Sequence, residues 1–326
     1  RKGKMQDFTP HEVSEIASKI LGKSSSNMDM CSGVGGLTIK RWVGNPEQVF
    51  HCEEFSDRAI PFLLFNLSIR NIEGTVKHGD SLTRQFKATY TLNKGDKFSK
   101  IIKSDTVEDV KVESVIMNPP YSMKWEHEEK YLTESRFKDF EKLAPKSKAD
   151  YAFLLTGLDK LSDNGTMTTI LPHGVLFRSG AEGTIREKLI EYNLIDSIIG
   201  LPENIFYNTA IPTVILVLKK NKSTDKVLFI DASEEFEKVG PINRLRAKDV
   251  NKIITTYQDN KEIDRYSKVI GSNEIKKNDY NLNIPRYIDK YIPEEVPEIK
   301  EILEDLRNID REIEENNKQI DIREVI

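Results

Sequence analysis

Short apolar runs alternate with turn residues along this chain, and their lengths and spacing predict strands and helices in turn. Residues 11–22 read as a helix closed by Gly22, a residue suited to helix ends. A strand at 28–31 leads through the turn Ser32-Gly33-Val34-Gly35-Gly36 into a helix ending near Trp42. Residues 48–52 are a second strand, 57–70 a second helix, and Val76 opens a third strand that stops at Gly79-Asp80. The stretch 84–111 is rich in lysine and polar residues and is expected on the surface. Residues 112–117 form a fourth strand, and 122–148 a loop with helical pieces around Trp125. Beyond it the pattern predicts a helix at 151–161 stopped by Asn164-Gly165, a strand at 166–171, a helix at 181–192 and a strand at 194–199. Residues 212–219 and 226–230 read as two strands paired with each other. Strand, helix, strand in this order is the pattern of a doubly wound α/β sheet with helices on both faces.

The tail has a different period. Ile299, Leu306, Ile313 and Ile320 recur every seven residues, with Ile302 and Ile309 between them and Asn316 interrupting. This is a heptad seam with charged flanks, and so short a helix needs a partner to bury it. It divides the chain into a body at 1–291 and an acidic helical tail at 292–326.

Charge follows the same division. The 326 residues hold 49 basic and 53 acidic side chains, a net of −4. The segment from Pro293 onward carries 12 of the acids and only 5 of the bases, so the body before it is mildly basic, at +3. That excess alone does not promise tight DNA binding, which rests on many phosphate contacts. No apolar run reaches the length of a membrane span, and no secretory signal follows Arg1, so a cytoplasmic protein is expected. Cys31 and Cys52 are too few for a disulfide framework, and no His or Cys cluster has metal-ligand spacing.

Chemistry concentrates at strand ends. Asp29-Met30-Cys31-Ser32-Gly33-Val34-Gly35-Gly36 joins a strand to a helix, where glycines allow a ligand to approach the backbone. Glu53 and Glu54 end the second strand, where an acid can bind a ribose diol, and Asp80 ends the third, where it can accept from an adenine amino group. Together these outline a site for an adenosine-containing cofactor. Asn118-Pro119-Pro120-Tyr121 ends the fourth strand, because two prolines cannot continue a ladder. An amide acceptor beside an aromatic ring suits a planar amine. His173 reads as a structural residue, and Trp125 as either a DNA contact or a loop anchor.

In this order the motifs resemble those of the γ-type amino methyltransferases of DNA. Phe8-Thr9-Pro10 is similar to the segment that precedes the glycine loop in that group. The resemblance implies S-adenosylmethionine as cofactor, bound by Phe8, Thr9, Pro10, Asp29, Cys31, Ser32, Gly33, Gly35, Glu54, Asp80, Ser81 and Asn118. It implies catalysis by Asn118, Pro119, Pro120 and Tyr121 on the N6 amine of a flipped adenine, with Tyr121 and Phe206 stacking on the base. Tyr207 and Phe177 stand behind Phe206 as alternatives.

The segments Leu171-Pro172-His173-Gly174-Val175-Leu176-Phe177-Arg178, Gly180-Ala181-Glu182, residues 199–207 and 278–283 look like the modification subunit of type I restriction–modification systems. That likeness implies DNA, a specificity subunit, a second modification subunit and a restriction subunit as partners. The family usually carries a helical domain ahead of Phe8. Seven residues precede it here, so that domain is expected to be absent. Two other classes stay open on the residues alone: methylation of a protein glutamine amide, and a non-catalytic cofactor-binding scaffold.

Overall fold

Parallel strands buried on both faces favour runs of apolar side chains, and the buried run Val115-Ile116-Met117 at the centre of this sheet is one. In the computed structural model, which describes residues 8–104, 109–207, 209–291 and 298–323, eleven strands form one sheet. Its core is β1 (Ser26–Asp29), β2 (Val49–Glu54), β3 (Gly74–Asp80), β6 (Val112–Met117) and β7 (Leu161–Pro172), all parallel in the order β7-β6-β1-β2-β3. The strands β4 (Gln85–Asn93) and β5 (Lys100–Ser104) extend it antiparallel beyond β3. On the other side β9 (Thr213–Lys219) lies antiparallel between β7 and β8 (Ile195–Gly200). Then come β10 (Lys226–Asp231), parallel to β8, and β13 (Ser267–Gly271), antiparallel at the edge. The short strands β11 (Glu237–Val239) and β12 (Ile242–Arg244) pair apart from it.

Alternation along single strands builds two cores. Val115 and Met117 of β6 enter one apolar cluster and Ile116 the other, as the pleat requires. The first cluster takes in α4 (Asp150–Lys160) and α5 (Ala181–Glu191) through Leu154, Leu155, Ile185 and Leu189. The second takes in α1 (His11–Leu21), α2 (Gly36–Gly44) and α6 (Ala247–Gln258) through Val13, Ile16, Leu37, Val250 and Ile253. A third, smaller cluster packs α3 (Ala59–Ser68) under β2, β3 and β4. The doubly wound Rossmann-like architecture therefore stands, completed by the short α7 (Ser272–Lys277).

Three expectations need correction. Residues 84–111 are not plain surface: β4 buries Ala88 and Leu92 against the sheet, a period-2 signal that the lysines obscured. The helix read to Leu161 ends at Lys160, and Leu161 already begins β7, so Asn164-Gly165 fall inside a strand with a register shift. Finally, β9 and β10 do not pair. Both are apolar between polar ends (Thr213 and Lys219, Lys226 and Asp231), so either could occupy a central position, and burial rather than sequence adjacency decides. Trp125 is a loop anchor: its indole is buried, donates to the Pro145 carbonyl and stacks on Tyr131.

Contacts divide the chain into two units at Asp289 and Lys290. Among its described residues the second unit is one 25-residue helix, α8 (Ile299–Arg323). Ile299, Leu306 and Ile313 fall at heptad spacing in it, while the side chain of Ile320 and all of residues 292–297 lie outside the described residues. No described helix is long and apolar enough to cross a membrane.

Gly74 has φ of 154°, and a Cβ there would stand 1.7 Å from the Phe50 carbonyl oxygen. Gly240 also has a positive φ, but open space around it. Gly74→Ala should therefore lower the unfolding free energy by about 3 kcal/mol or more, and Gly240→Ala by about 1, measured by urea denaturation.

Candidate functional site

The order of the strands reverses at β1, whose neighbours are β2 on one side and β6 on the other. Ligands of open α/β sheets bind outside the carboxyl ends of the strands at such a point. A cavity of about 470 Å³ opens there. The glycine turn lines one wall with Cys31, Ser32 and Gly33, and Asn118 to Tyr121 line the other. Phe8 and Thr9 stand at the mouth, together with Thr209 and Ile211. A narrow slot of about 60 Å³ is lined by Glu54, Phe55, Asp80, Ser81, Pro120 and Phe153. Cys31 and Pro120 line both, so the two spaces adjoin.

Backbone geometry sets the glycine wall. Gly35 has φ of 94°, and a Cβ there would press on Leu63 at 3.0 Å. Its N–H closes the turn on the Ser32 carbonyl at 2.8 Å. Asp29 lies beneath, fully buried and outside both linings, accepting from the Thr38 hydroxyl at 3.0 Å. Burial pushes its carboxyl from 3.8 up to about 7, with the Thr38 and Cys31 hydrogen bonds opposing. Burial likewise pushes the Cys52 thiol up to about 12 and the Cys31 thiol well above its usual value. Pro10 does not line the cavity; it caps α1 and accepts from the Ser14 N–H.

The two adjacent glutamates point to different places. Glu54 accepts from the Gly33 N–H at 2.8 Å and the Ser56 N–H at 2.7 Å, so it belongs to the glycine turn. Glu53 pairs with Arg84 at 2.7 Å and lines neither space. Asp80 folds its Oδ1 over the Leu82 N–H at 2.8 Å, and the Ser81 hydroxyl donates to the Met30 carbonyl. Flexible glycines, acids at the ends of β2 and β3, and adjoining spaces fit an adenosine-containing cofactor.

The amide wall is held by two hydroxyls. Asn118 Nδ2 donates to Thr9 Oγ1 at 3.0 Å, and the Tyr121 hydroxyl donates to Asn118 Oδ1 at 2.7 Å. The amide oxygen thus already accepts from a donor on the cavity wall. Phe206, expected to stack on a base, is 2% exposed and stands edge-on to Tyr121 at 5.9 Å. In this arrangement it backs Tyr121 from the apolar core. Tyr207 and Phe177 are exposed, and the latter meets His173 edge-on. Burial lowers the pKa of His173, with Asp231 opposing.

Sequence reasoning missed Phe55, Phe153, Thr209 and Ile211. Phe153 sits in a helix where an aromatic reads as ordinary core, and Thr209 and Ile211 precede β9 in a loop with no motif.

An adenosine-fitting turn on β1, read against an amide at the end of β6, places the molecule in the Rossmann-like methyltransferase class. The chain belongs to the N-6 DNA methylase family, whose family model matches residues 1–295. It is 32% identical over 308 residues to the type I restriction enzyme MpnII methylase subunit of Mycoplasma pneumoniae, covering 90% of this chain and 54% of that protein. It is 30% identical over 323 residues to the MjaVIII methylase subunit of Methanocaldococcus jannaschii, covering 94% and 53%. Among solved structures, the type I restriction-modification system methyltransferase subunit from Streptococcus thermophilus superposes with a TM-score of 0.77 at 38% identity, over 87% of this chain and 59% of that one. The chain spans about half the length of the curated relatives it matches.

Burial of Asp29 ties the stability of the fold to pH. A carboxyl raised from 3.8 to about 7 stabilises the fold while it stays protonated, and that contribution is lost as pH rises across this window. Asp29→Asn should flatten the decline of the free chain's stability between pH 4 and 7, read from urea midpoints at each pH.

Proposed function

We propose that this chain transfers a methyl group from S-adenosylmethionine to the N6 amine of an adenine flipped out of DNA. We further propose that it does so as the modification subunit of a type I restriction–modification complex. The observation that carries the reading is the Asn118 amide, its oxygen at the cavity wall and its nitrogen tied to Thr9. Names of the relatives support the complex, and family membership supports the chemistry. The catalytic role falls to residues 1–291, and residues 292–326 would hold a partner through their heptad stripe.

The Glu54 carboxylate and the Ser32–Gly33 backbone would hold the cofactor's ribose and tail, and Asp80 with Ser81 its base. The bound cofactor supplies an electrophilic methyl group. The adenine amine is a weak nucleophile because its lone pair is delocalised into the ring. Acceptors at Asn118 Oδ1 and the Pro119 carbonyl would receive its two hydrogens and favour a pyramidal nitrogen aimed at the methyl. To do so, Asn118 Oδ1 exchanges the Tyr121 hydroxyl for the amine. No strong base is required, so catalysis rests on positioning and electrostatics. The base must leave the duplex to reach this wall, and Tyr121 would stack on it. DNA and a specificity subunit are the proposed partners, with a second modification subunit and a restriction subunit in the full assembly. A cytoplasmic location follows from that role.

Incubation with labelled S-adenosylmethionine and plasmid, with and without a co-encoded specificity subunit, tests the reading. Label on adenine only in the mixture is expected, and label on a protein glutamine would sink it. Asn118→Ala should abolish transfer while cofactor binding stays nearly unchanged, and Asp29→Ala should lose cofactor binding. Tyr121→Ala should weaken engagement of the flipped base by roughly 1–3 kcal/mol, read from DNA affinity with an abasic control.

A further inference from the structure

The segment from His173 to Glu182 lines neither space of the site, yet its charges converge on the turn from Asn118 to Tyr121. Asp150, the first residue of α4, is fully buried. One of its oxygens accepts from the Ser122 N–H at 2.7 Å and the other from the Arg178 guanidinium at 2.9 Å. Arg178 also stands 3.3 Å from Glu182. Burial holds the Glu182 carboxyl above its ordinary range, with Arg178 opposing. The carbonyls of Val175 and Arg178 accept from Arg186, which clamps the turn that carries Arg178. Ser122 follows Tyr121 directly and has φ of 48°. A non-glycine residue holds that left-handed conformation only where its surroundings impose it.

We infer that Asp150 and Arg178 are positioning residues for the turn from Asn118 to Tyr121, an inference that rests on reading that turn as the seat of the target amine. The buried carboxylate pins the Ser122 N–H, and the guanidinium pins the carboxylate. A buried ion pair is a poor device for stability alone, because apolar packing of the same volume does as well or better. A fixed carboxylate is, however, a strong acceptor for a backbone N–H in a strained turn. The Tyr121 ring is then fixed from two sides, by the Ser122 backbone and by the edge-on contact with Phe206 at 5.9 Å. The arrangement also gives Arg178 and Glu182, which line neither space, a reason to be there.

The test uses the full-length enzyme assembled with its DNA-reading partner. It measures single-turnover methyl transfer, S-adenosylmethionine affinity and the fluorescence of 2-aminopurine placed at the target adenine. Asp150→Asn and Arg178→Met should each slow transfer about 100-fold at saturating cofactor and DNA, the cost of an ångström-scale misplacement. Both should change the 2-aminopurine signal and leave cofactor affinity unchanged. The double variant should be no slower than the slower single one, because both act through one contact. Arg178→Lys, which keeps the charge but loses the fork, should recover part of the rate. Wild-type rates in both single variants, or a slowing matched by an equal loss of cofactor affinity, would overturn the inference. If Asp150→Asn or Arg178→Met does not fold, Arg178→Lys decides: it keeps a cation beside the buried Asp150, and transfer slower than wild type at unchanged cofactor affinity is expected. Asn118→Ala is the control on the underlying reading: transfer at the wild-type rate there places the amine site elsewhere, whatever the Asp150 and Arg178 variants do.

Discussion

Strand β6 runs between β1 and β7 through two parallel ladders, and Pro119-Pro120 forbids it to go further. The chain must therefore leave the sheet at the one place where strand order reverses. Everything at the site depends on that forced exit. It presents the Asn118 amide to the cavity, brings Tyr121 around to the amide oxygen, and puts Ser122 in a conformation that needs outside support. Thr9 reaches the same amide from 109 positions away, because α1 packs on β7 and α2 and delivers the residues ahead of it to the crevice.

Much of this was legible in the sequence, for physical reasons that also explain the gaps. The parallel core announced itself because strands buried on both faces have few polar positions, as Val115-Ile116-Met117 illustrate. The glycine turn and the acids of β2 and β3 were legible because special backbone conformations and strand-end charges need particular residue types. What sequence spacing could not separate was Glu53 from Glu54, since adjacent residues of a strand face opposite sides and only the fold says which side holds the glycine turn. Phe206 shows the reverse problem. Its place near the paired strands suggested a face for a base, but Leu201, Ile205 and Phe206 are all buried, and the ring supports Tyr121 instead. The pairing of β9 was hidden because its apolar run from Val214 to Leu218 suits any interior position.

Buried carboxyls divide into two kinds here. Glu54 and Asp150 accept from backbone N–H groups or a guanidinium and so hold a turn in place. Among the described residues the Asp29 carboxylate accepts from the Thr38 hydroxyl and from one longer N–H contact at 3.4 Å, and burial outweighs them. The first kind shapes the walls, and the second lies beneath the glycine turn with burial favouring its proton.

The antiparallel β9 has one more consequence. After β8 the chain is already at the functional edge of the sheet, and because β9 runs back from that edge, residues 201–207 and 209–212 never have to leave it. A parallel successor would have required a return to the opposite edge. This lip supplies Thr209 and Ile211 to the cavity mouth and Phe206 behind Tyr121. Doubling the length of such a loop costs only about 0.6 kcal/mol of closure entropy and leaves the strand register untouched. The rim can thus be redrawn by insertion or deletion while the chemistry beneath it stays fixed, which makes this lip the fold's natural place to change what the crevice admits.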